Sequence, residues 1–274
     1  MVSWHGYDGD EESTVVGDLR VSDPVEATHL DIDRELLAYL PPSYESSDRE
    51  YPVVYMHDGQ NLFDEATSYD GEWQVDETME TLASEGIEAI VVGIPNAGDK
   101  RTIEYAPYYD PTNVPAEVDL PQDVEPLGDA YTDWLNETIR PAVESTFRTN
   151  GERGLFGSSM GGLISLYAFF RDPDVFTFAG AMSPAVSGPF EEIQEYVETT
   201  GHVDGRLYVD VGGAEFEDDP HQSAQFEQGV TQLVETLDGM GYTDELRYVY
   251  DADAEHHESE WARRFPEAMR FLLG

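Results

Sequence analysis

The chain has 274 residues, of which 58 are acidic and 14 basic, giving a net charge of −44. A field this negative repels nucleic acid and anionic membrane surfaces, and with no cysteine in the chain disulfides, thiol nucleophiles and cysteine-based zinc sites are excluded. An apolar fraction of 40% with 12% aromatics supplies a sizeable core and argues against an acidic disordered chain.

No run approaches the ~20 apolar residues needed to span a bilayer. The stretch from Met1 to Glu12 is polar and acidic, without a basic n-region or an apolar h-region. No secretory leader is therefore expected, and the expected location is the cytoplasm. Lys100 is the only lysine; the other basic residues are arginines. So large an acid excess suits a salt-saturated cytoplasm, because in molar salt the Debye length falls to about 3 Å and most of the self-repulsion is screened. Acidic runs such as 215–219 and 251–255 are read as solvated faces, and no metal or cofactor is expected.

In chain order, strands are predicted over 35–40, 52–57, 89–94, 154–156, 177–182, 206–211 and 246–250, all short and rich in Val, Ile, Tyr or Phe. Helices are predicted over 74–85, 130–147, 162–171, 189–198, 223–240 and 259–272. The alternation implies an α/β fold with a mainly parallel sheet and helices on both faces. The first forty residues carry strands without an obvious helix, which suggests an antiparallel start to the sheet. The loop from Pro95 to Gly128 is long and rich in Pro, Asp and Tyr, as functional loops often are. With no repeat, low-complexity tract or linker, residues 1–274 are read as one domain, 1–34 being an N-terminal extension with the first strands.

Residues 157–162, Gly-Ser-Ser-Met-Gly-Gly, form a G-x-S-x-G element between a short apolar run and a helical run. That is the strand–turn–helix context of a nucleophile elbow. Ser159, not Ser158, has glycines at both −2 and +2, so Ser159 is the expected nucleophile. A serine hydroxyl needs a base, a group that orients the base, and donors for the oxyanion. In the α/β-hydrolase order the acid and then the histidine follow the serine. Of the downstream histidines His202, His221, His256 and His257, the last two lie after the final predicted strand, where the base belongs. Position alone does not choose between them. Glu215, Glu217, Asp218 and Asp219 follow the penultimate strand and all qualify as the acid, whereas Asp210 lies within that strand. The oxyanion donors expected are the backbone N–H of Met160 and an N–H from the turn Asp58-Gly59-Gln60-Asn61, where Gly59 would allow a tight turn exposing the Gln60 N–H.

With these residues in place, the chain resembles the enterochelin-esterase-like branch of the α/β-hydrolases. Its relatives include feruloyl and acetyl-xylan esterases, S-formylglutathione hydrolases and mycolyltransferases. The resemblance is carried by 40–44 (Leu-Pro-Pro-Ser-Tyr), 55–64 (Tyr-Met-His-Asp-Gly-Gln-Asn-Leu-Phe-Asp), 72–77 (Glu-Trp-Gln-Val-Asp-Glu), 92–96, 104–107, 157–162, 183–185 and 256–261 (His-His-Glu-Ser-Glu-Trp). It implies His256 as the base, two before Glu258 and five before Trp261. It also implies Glu215 as the acid, with Asp218 second, and Gln60 and Met160 as oxyanion donors. Some enterochelin-esterase-like relatives work with a Ser/His pair alone. The extra acids around Glu215 depart from the family pattern.

The expected activity is hydrolysis of a small-molecule carboxylic ester through an acyl-enzyme, without nucleic-acid or membrane partners. Trp73, Asn96, Arg101 and Tyr105 are candidate substrate-binding residues, with plain packing the alternative for Trp73 and Tyr105. Two rival readings are an acyltransferase, separated by adding acceptor alcohols to a hydrolysis assay, and an inactive siderophore- or glycan-binding protein on the same scaffold, which a broken triad would favour.

Overall fold

Apolar runs over 51–57, 90–94, 178–182 and 206–212 form strands buried on both faces, which explains why they read as continuous rather than alternating apolar segments. The computed structural model describes residues 2–9, 11–113 and 125–274. The strands are β1 (Trp4–Gly6), β2 (Asp18–Ser22), β3 (Val25–Ala27), β4 (Ile32–Arg34), β5 (Leu37–Leu40), β6 (Tyr51–His57), β7 (Ile90–Ile94), β8 (Thr149–Ser158), β9 (Phe178–Met182), β10 (Arg206–Gly212) and β11 (Leu246–Asp251). The helices are α1 (Val75–Ala83), α2 (Arg101–Glu104), α3 (Gly128–Trp134), α4 (Arg140–Glu144), α5 (Met160–Arg171), α6 (Glu192–Thr200), α7 (Pro220–Gly239) and α8 (Glu258–Leu273). The helix predicted over 130–147 is thus α3 and α4, joined by a π-helical turn over Leu135–Ile139.

Two compact units divide the chain. The first comprises Met1–Asn96, Thr132–Leu155 and His257–Gly274. Its strands run in the order β1-β2-β5-β7-β6-β8. The pairs β1–β2, β2–β5 and β5–β7 are antiparallel, so the antiparallel start expected from the first forty residues is present. The β6–β7 pair is parallel, with Val53 opposite Ile90 and His57 opposite Ile94. A separate antiparallel pair, β3–β4, lies outside this sheet. α8 packs against α1. It buries Trp261, Phe265, Ala268, Met269 and Leu272, a stripe at helical spacing.

The second unit comprises Ala97–Tyr131 and Phe156–His256. It contains the end of β8 followed by β9, β10 and β11, the last three parallel. α5 is buried along nearly its whole length, which is why its sequence, Met-Gly-Gly-Leu-Ile-Ser-Leu-Tyr-Ala-Phe-Phe-Arg, is apolar all round. It packs on β9 and α6, while α7 covers β10. β8 is much longer than the predicted 154–156: only its C-terminal half is buried, and Asn150, Gly151 and Glu152 at its start are exposed and polar.

Candidate active site

The end of β8 delivers a sharp reversal. Ser159 has φ 54° and ψ −120°, a conformation that non-glycine residues avoid. Backbone hydrogen bonds hold it there: Ser159 N–H donates to the Met182 carbonyl at 2.9 Å, and its own carbonyl accepts from Leu163 at 3.0 Å and Ala185 at 3.1 Å. Gly157 is required by contact rather than by torsion, since a Cβ there would lie 2.7 Å from the Gly161 backbone. Ser158 and Met160 are buried on either side, whereas Ser159 is partly exposed. Met160 opens α5, where the first backbone N–H groups have no intrahelical acceptor.

The structure brings Glu215 and His256 together. His256 Nδ1 lies 2.5 Å from Glu215 Oε2. The two loops that carry them are also joined along the backbone, with His256 N–H on the Glu215 carbonyl at 3.1 Å and Ala214 N–H on the Ala254 carbonyl at 3.1 Å. Glu215 Oε1 accepts from Ser183 Oγ at 2.6 Å and from Gly212 N–H at 2.6 Å. Burial alone would push this carboxyl up, but the hydrogen bonds from His256, Ser183 and Gly212 and the attraction of the imidazole outweigh it and hold Glu215 below the usual carboxylate range. The imidazole of His256 is stacked on Phe216, with centroids 5.7 Å apart, and edged by Phe226 at 5.4 Å. With Nδ1 protonated toward an ionised carboxylate, Nε2 carries the lone pair that a general base uses.

His257 serves a different end. Its Nδ1 accepts the Ser259 N–H at 3.1 Å as the N-cap of α8. His202 stacks on Tyr242 at 4.3 Å, and His221 lies in the first turn of α7. Asp219 caps that helix through the N–H groups of His221 and Gln222, while Glu217 and Asp218 are exposed.

Two residues in the Glu215 assembly had no role assigned from sequence. Ser183, in a left-handed conformation at φ 41°, donates its hydroxyl to Glu215. Asp210, fully buried, takes the Ser183 N–H on its carboxylate at 3.0 Å and so fixes the Ser183 turn. The Ser-Pro-Ala block at 183–185 was the available signal for the first. Nothing local marks Asp210, because its acidity is lost among 58 acids.

In the first unit, the turn after β6 differs in detail from the expectation. Asp58, not Gly59, takes the left-handed conformation, at φ 58° and ψ 44°. Gly59 is needed for close approach, since a Cβ would lie 2.6 Å from the Gly93 carbonyl carbon. Asn96 Nδ2 donates to Asp58 at 2.6 Å, and Asn96 N–H donates to Gln60 Oε1 at 3.1 Å. Asn96 thus pins the turn that carries Gln60.

Two of the four candidate substrate-binding residues are buried. Trp73 is 3% exposed and lies against Trp261 and Phe265. Tyr105 is fully buried beside Tyr131. Arg101 remains partly exposed; its guanidinium stacks on Tyr105 at 5.4 Å and Nη2 lies 3.5 Å from the Ser158 carbonyl. Part of the predicted 95–128 loop, residues 114–124, lies outside the described residues.

Two clusters among the described residues have metal-ligand chemistry: Asp70, His257 and Glu258, and Glu72, Asp76 and Glu77. In the first, His257 Nδ1 is committed as the acceptor of the α8 cap, which puts the proton of the neutral ring on Nε2, the nitrogen facing Asp70 at 3.5 Å. That tautomer has no lone pair to offer a metal there.

A mainly parallel α/β sheet with a serine on a strained strand-to-helix turn is the framework of the carboxylic ester hydrolases. The sequence profile of the family described as Putative esterase matches residues 27–272, and the chain belongs to that family. The uncharacterized protein YbbA of Bacillus subtilis is 26% identical over 251 residues, covering 88% of this chain and 93% of YbbA. The siderophore triacetylfusarinine C esterase of Aspergillus fumigatus is 29% identical over 141 residues, 49% of this chain and 44% of that protein. Among solved structures, an IroE-like serine hydrolase from Shewanella oneidensis superposes with a TM-score of 0.72 at 21% identity, covering 92% of this chain and 79% of that one. The siderophore hydrolase EstB of Aspergillus nidulans gives 0.68 at 19%, covering 97% and 96%. These structures share the fold. No described helix is long and apolar enough to cross a membrane.

Proposed function

We propose that the chain is a serine esterase that works through an acyl-enzyme in molar salt. Ser159 attacks the ester carbonyl and passes its proton to His256 Nε2. Glu215 stays ionised, holds the imidazole by Nδ1 and stabilises the imidazolium as it forms. The Met160 N–H receives developing charge on the carbonyl oxygen, and Gln60 is the second donor by the family pattern. His256 then returns the proton to the departing alcohol, and a water activated by the same histidine releases the acid. The observation that carries this reading is the 2.5 Å His256–Glu215 bond, made by a carboxylate that two further donors keep charged.

Arg101, beside the Ser158 carbonyl, is a positive charge near the nucleophile in a chain of net charge −44. It favours ester substrates that carry an anionic or acceptor-rich group. Siderophore esters are the natural class to screen first, given the triacetylfusarinine C esterase among the relatives.

The test is hydrolysis of a chromogenic short-chain ester in molar KCl by the wild type, Ser159→Ala and His256→Ala. Both variants are expected to lose activity by about 10⁴-fold or more, and a fluorophosphonate is expected to label Ser159. Turnover that survives in Ser159→Ala would sink the proposal.

A further inference from the structure

The second acidic cluster lies in the first unit, where the N-terminal segment crosses the start of α1. Glu72, Asp76 and Glu77 each place a carboxylate oxygen within 4.8 Å of the others. Asp76 is fully buried and Glu72 is 9% exposed. One oxygen of each is already used or turned elsewhere: Glu72 Oε2 accepts from Thr14 Oγ1 at 2.8 Å, and Asp76 Oδ2 accepts from Val16 N–H at 2.7 Å. The other oxygens, Glu72 Oε1 and Asp76 Oδ1, are buried without a hydrogen-bond donor, as is Glu77 Oε2.

Buried carboxylate oxygens without a donor, on three acids that each place an oxygen within 4.8 Å of the others, are costly unless a cation or a shared proton intervenes. A first-turn carboxylate at a helix N-terminus is ordinary, but such a side chain normally meets backbone N–H groups or water rather than two other carboxylates in the interior.

We propose that Glu72, Asp76 and Glu77 form a structural binding site for one calcium-type divalent cation, which ties the 14–16 segment to α1. The donor set is all oxygen and threefold anionic, which selects a hard cation over zinc or copper. Oxygens 2.3–2.6 Å from one Ca²⁺ lie roughly 3–5 Å from each other, which matches the spread of the three carboxylates. Thr14 and Val16 act as the outer layer, each donating to one oxygen of a carboxylate and so orienting it. The site departs from the sequence expectation of no metal. Burial, with the like charges of Glu77, Asp64 and Glu65, pushes Glu72 up to about 7. Burial, with a hydrogen bond and the like charge of Glu77, pushes Asp76 up.

The experiment is calorimetric titration of the chelator-treated full chain with CaCl₂ in molar KCl, with thermal unfolding alongside. The high salt suppresses the weak calcium binding that surface acids supply. One saturable site per chain is expected, with a Tm that climbs as calcium is added. Asp76→Asn is expected to lose that site. Glu77→Gln, at a half-buried position, is expected to fold and to bind at least about tenfold more weakly. It decides the matter if Asp76→Asn does not fold. A wild type with no stoichiometric site and a calcium-independent Tm overturns the proposal, as does undiminished binding in Glu77→Gln.

Discussion

Ser183 Oγ donates to Glu215 Oε1 at 2.6 Å, so a residue outside the Ser-His-acid pattern helps to set the charge of Glu215. The bond is buried and charge-assisted, a kind worth about 1.5–3 kcal/mol. Removing the hydroxyl in Ser183→Ala is expected to lower kcat by roughly ten- to a hundredfold with KM nearly unchanged. Glu215 has a folded pKa below its unfolded value, so its contribution to stability is present above the unfolded pKa and is lost as pH falls through the folded one. With one donor gone, that loss moves to higher pH. Acid-unfolding curves of Ser183→Ala that overlay the wild type would show that the bond does not bear on the carboxylate.

The backbone of Ser159 bears strain that its side chain makes necessary. At φ 54° and ψ −120°, a glycine would sit without the Cβ penalty, which is about 1–3 kcal/mol at such positions. Ser159→Gly is expected to be inactive yet more stable than Ser159→Ala by about 1 kcal/mol, net of glycine's greater chain entropy. Thermal denaturation of the two variants side by side measures it, and equal Tm values would mean that the elbow is not strained.

The acidic cluster at α1 has a pH signature of opposite sign to that of Glu215. Burial and the neighbouring Glu77 raise the pKa of Asp76 in the folded chain, while an unfolded aspartate loses its proton near about 3.9. Between the two pKa values the folded state holds more protons, so stability falls as pH rises and levels off above the folded pKa. In the presence of EDTA, Asp76→Asn is expected to flatten that decline. The check is urea midpoints at pH 5, 7 and 9 for the two proteins. A decline as steep in the variant would assign it to other groups.

Salt dependence follows from charge alone. With 58 acids against 14 basic residues, dialysis into dilute buffer lengthens the Debye distance and restores the self-repulsion. Loss of the far-ultraviolet helical signal and of esterase activity is expected on dialysis, with recovery in molar KCl. A chain that stays folded in dilute buffer would rule out adaptation to high salt.

The alternation of apolar runs with amphipathic segments made most strands and helices legible, because buried parallel strands and core-facing helices differ in period and length. What escaped had a physical reason in each case. β1, β3 and β4 are three residues long, too short to show a period. The polar half of β8 carries no apolar signal. The elbow could be read because a crowded turn demands glycine at fixed offsets. Choosing between His256 and His257 needed the structure or the family pattern, since both are polar neighbours and only contacts reveal that one ring meets Glu215 while the other caps α8. Ser183 and Asp210 were opaque as functional residues, because their parts are played across 32 and 27 residues of sequence respectively. Trp73 and Tyr105 show the converse: an aromatic in a family motif reads the same whether it lines a pocket or fills a core.

The loop after β10 and the loop after β11 are stitched together along their backbones, through His256 with Glu215 and Ala214 with Ala254, in addition to the side-chain bond. Glu215 and His256 are therefore held as one structural unit. Anyone exchanging these loops with those of another esterase must move 212–215 and 251–256 as a matched set. A chimera that takes one without the other would keep both residue types in its sequence and still lose the geometry that makes them partners.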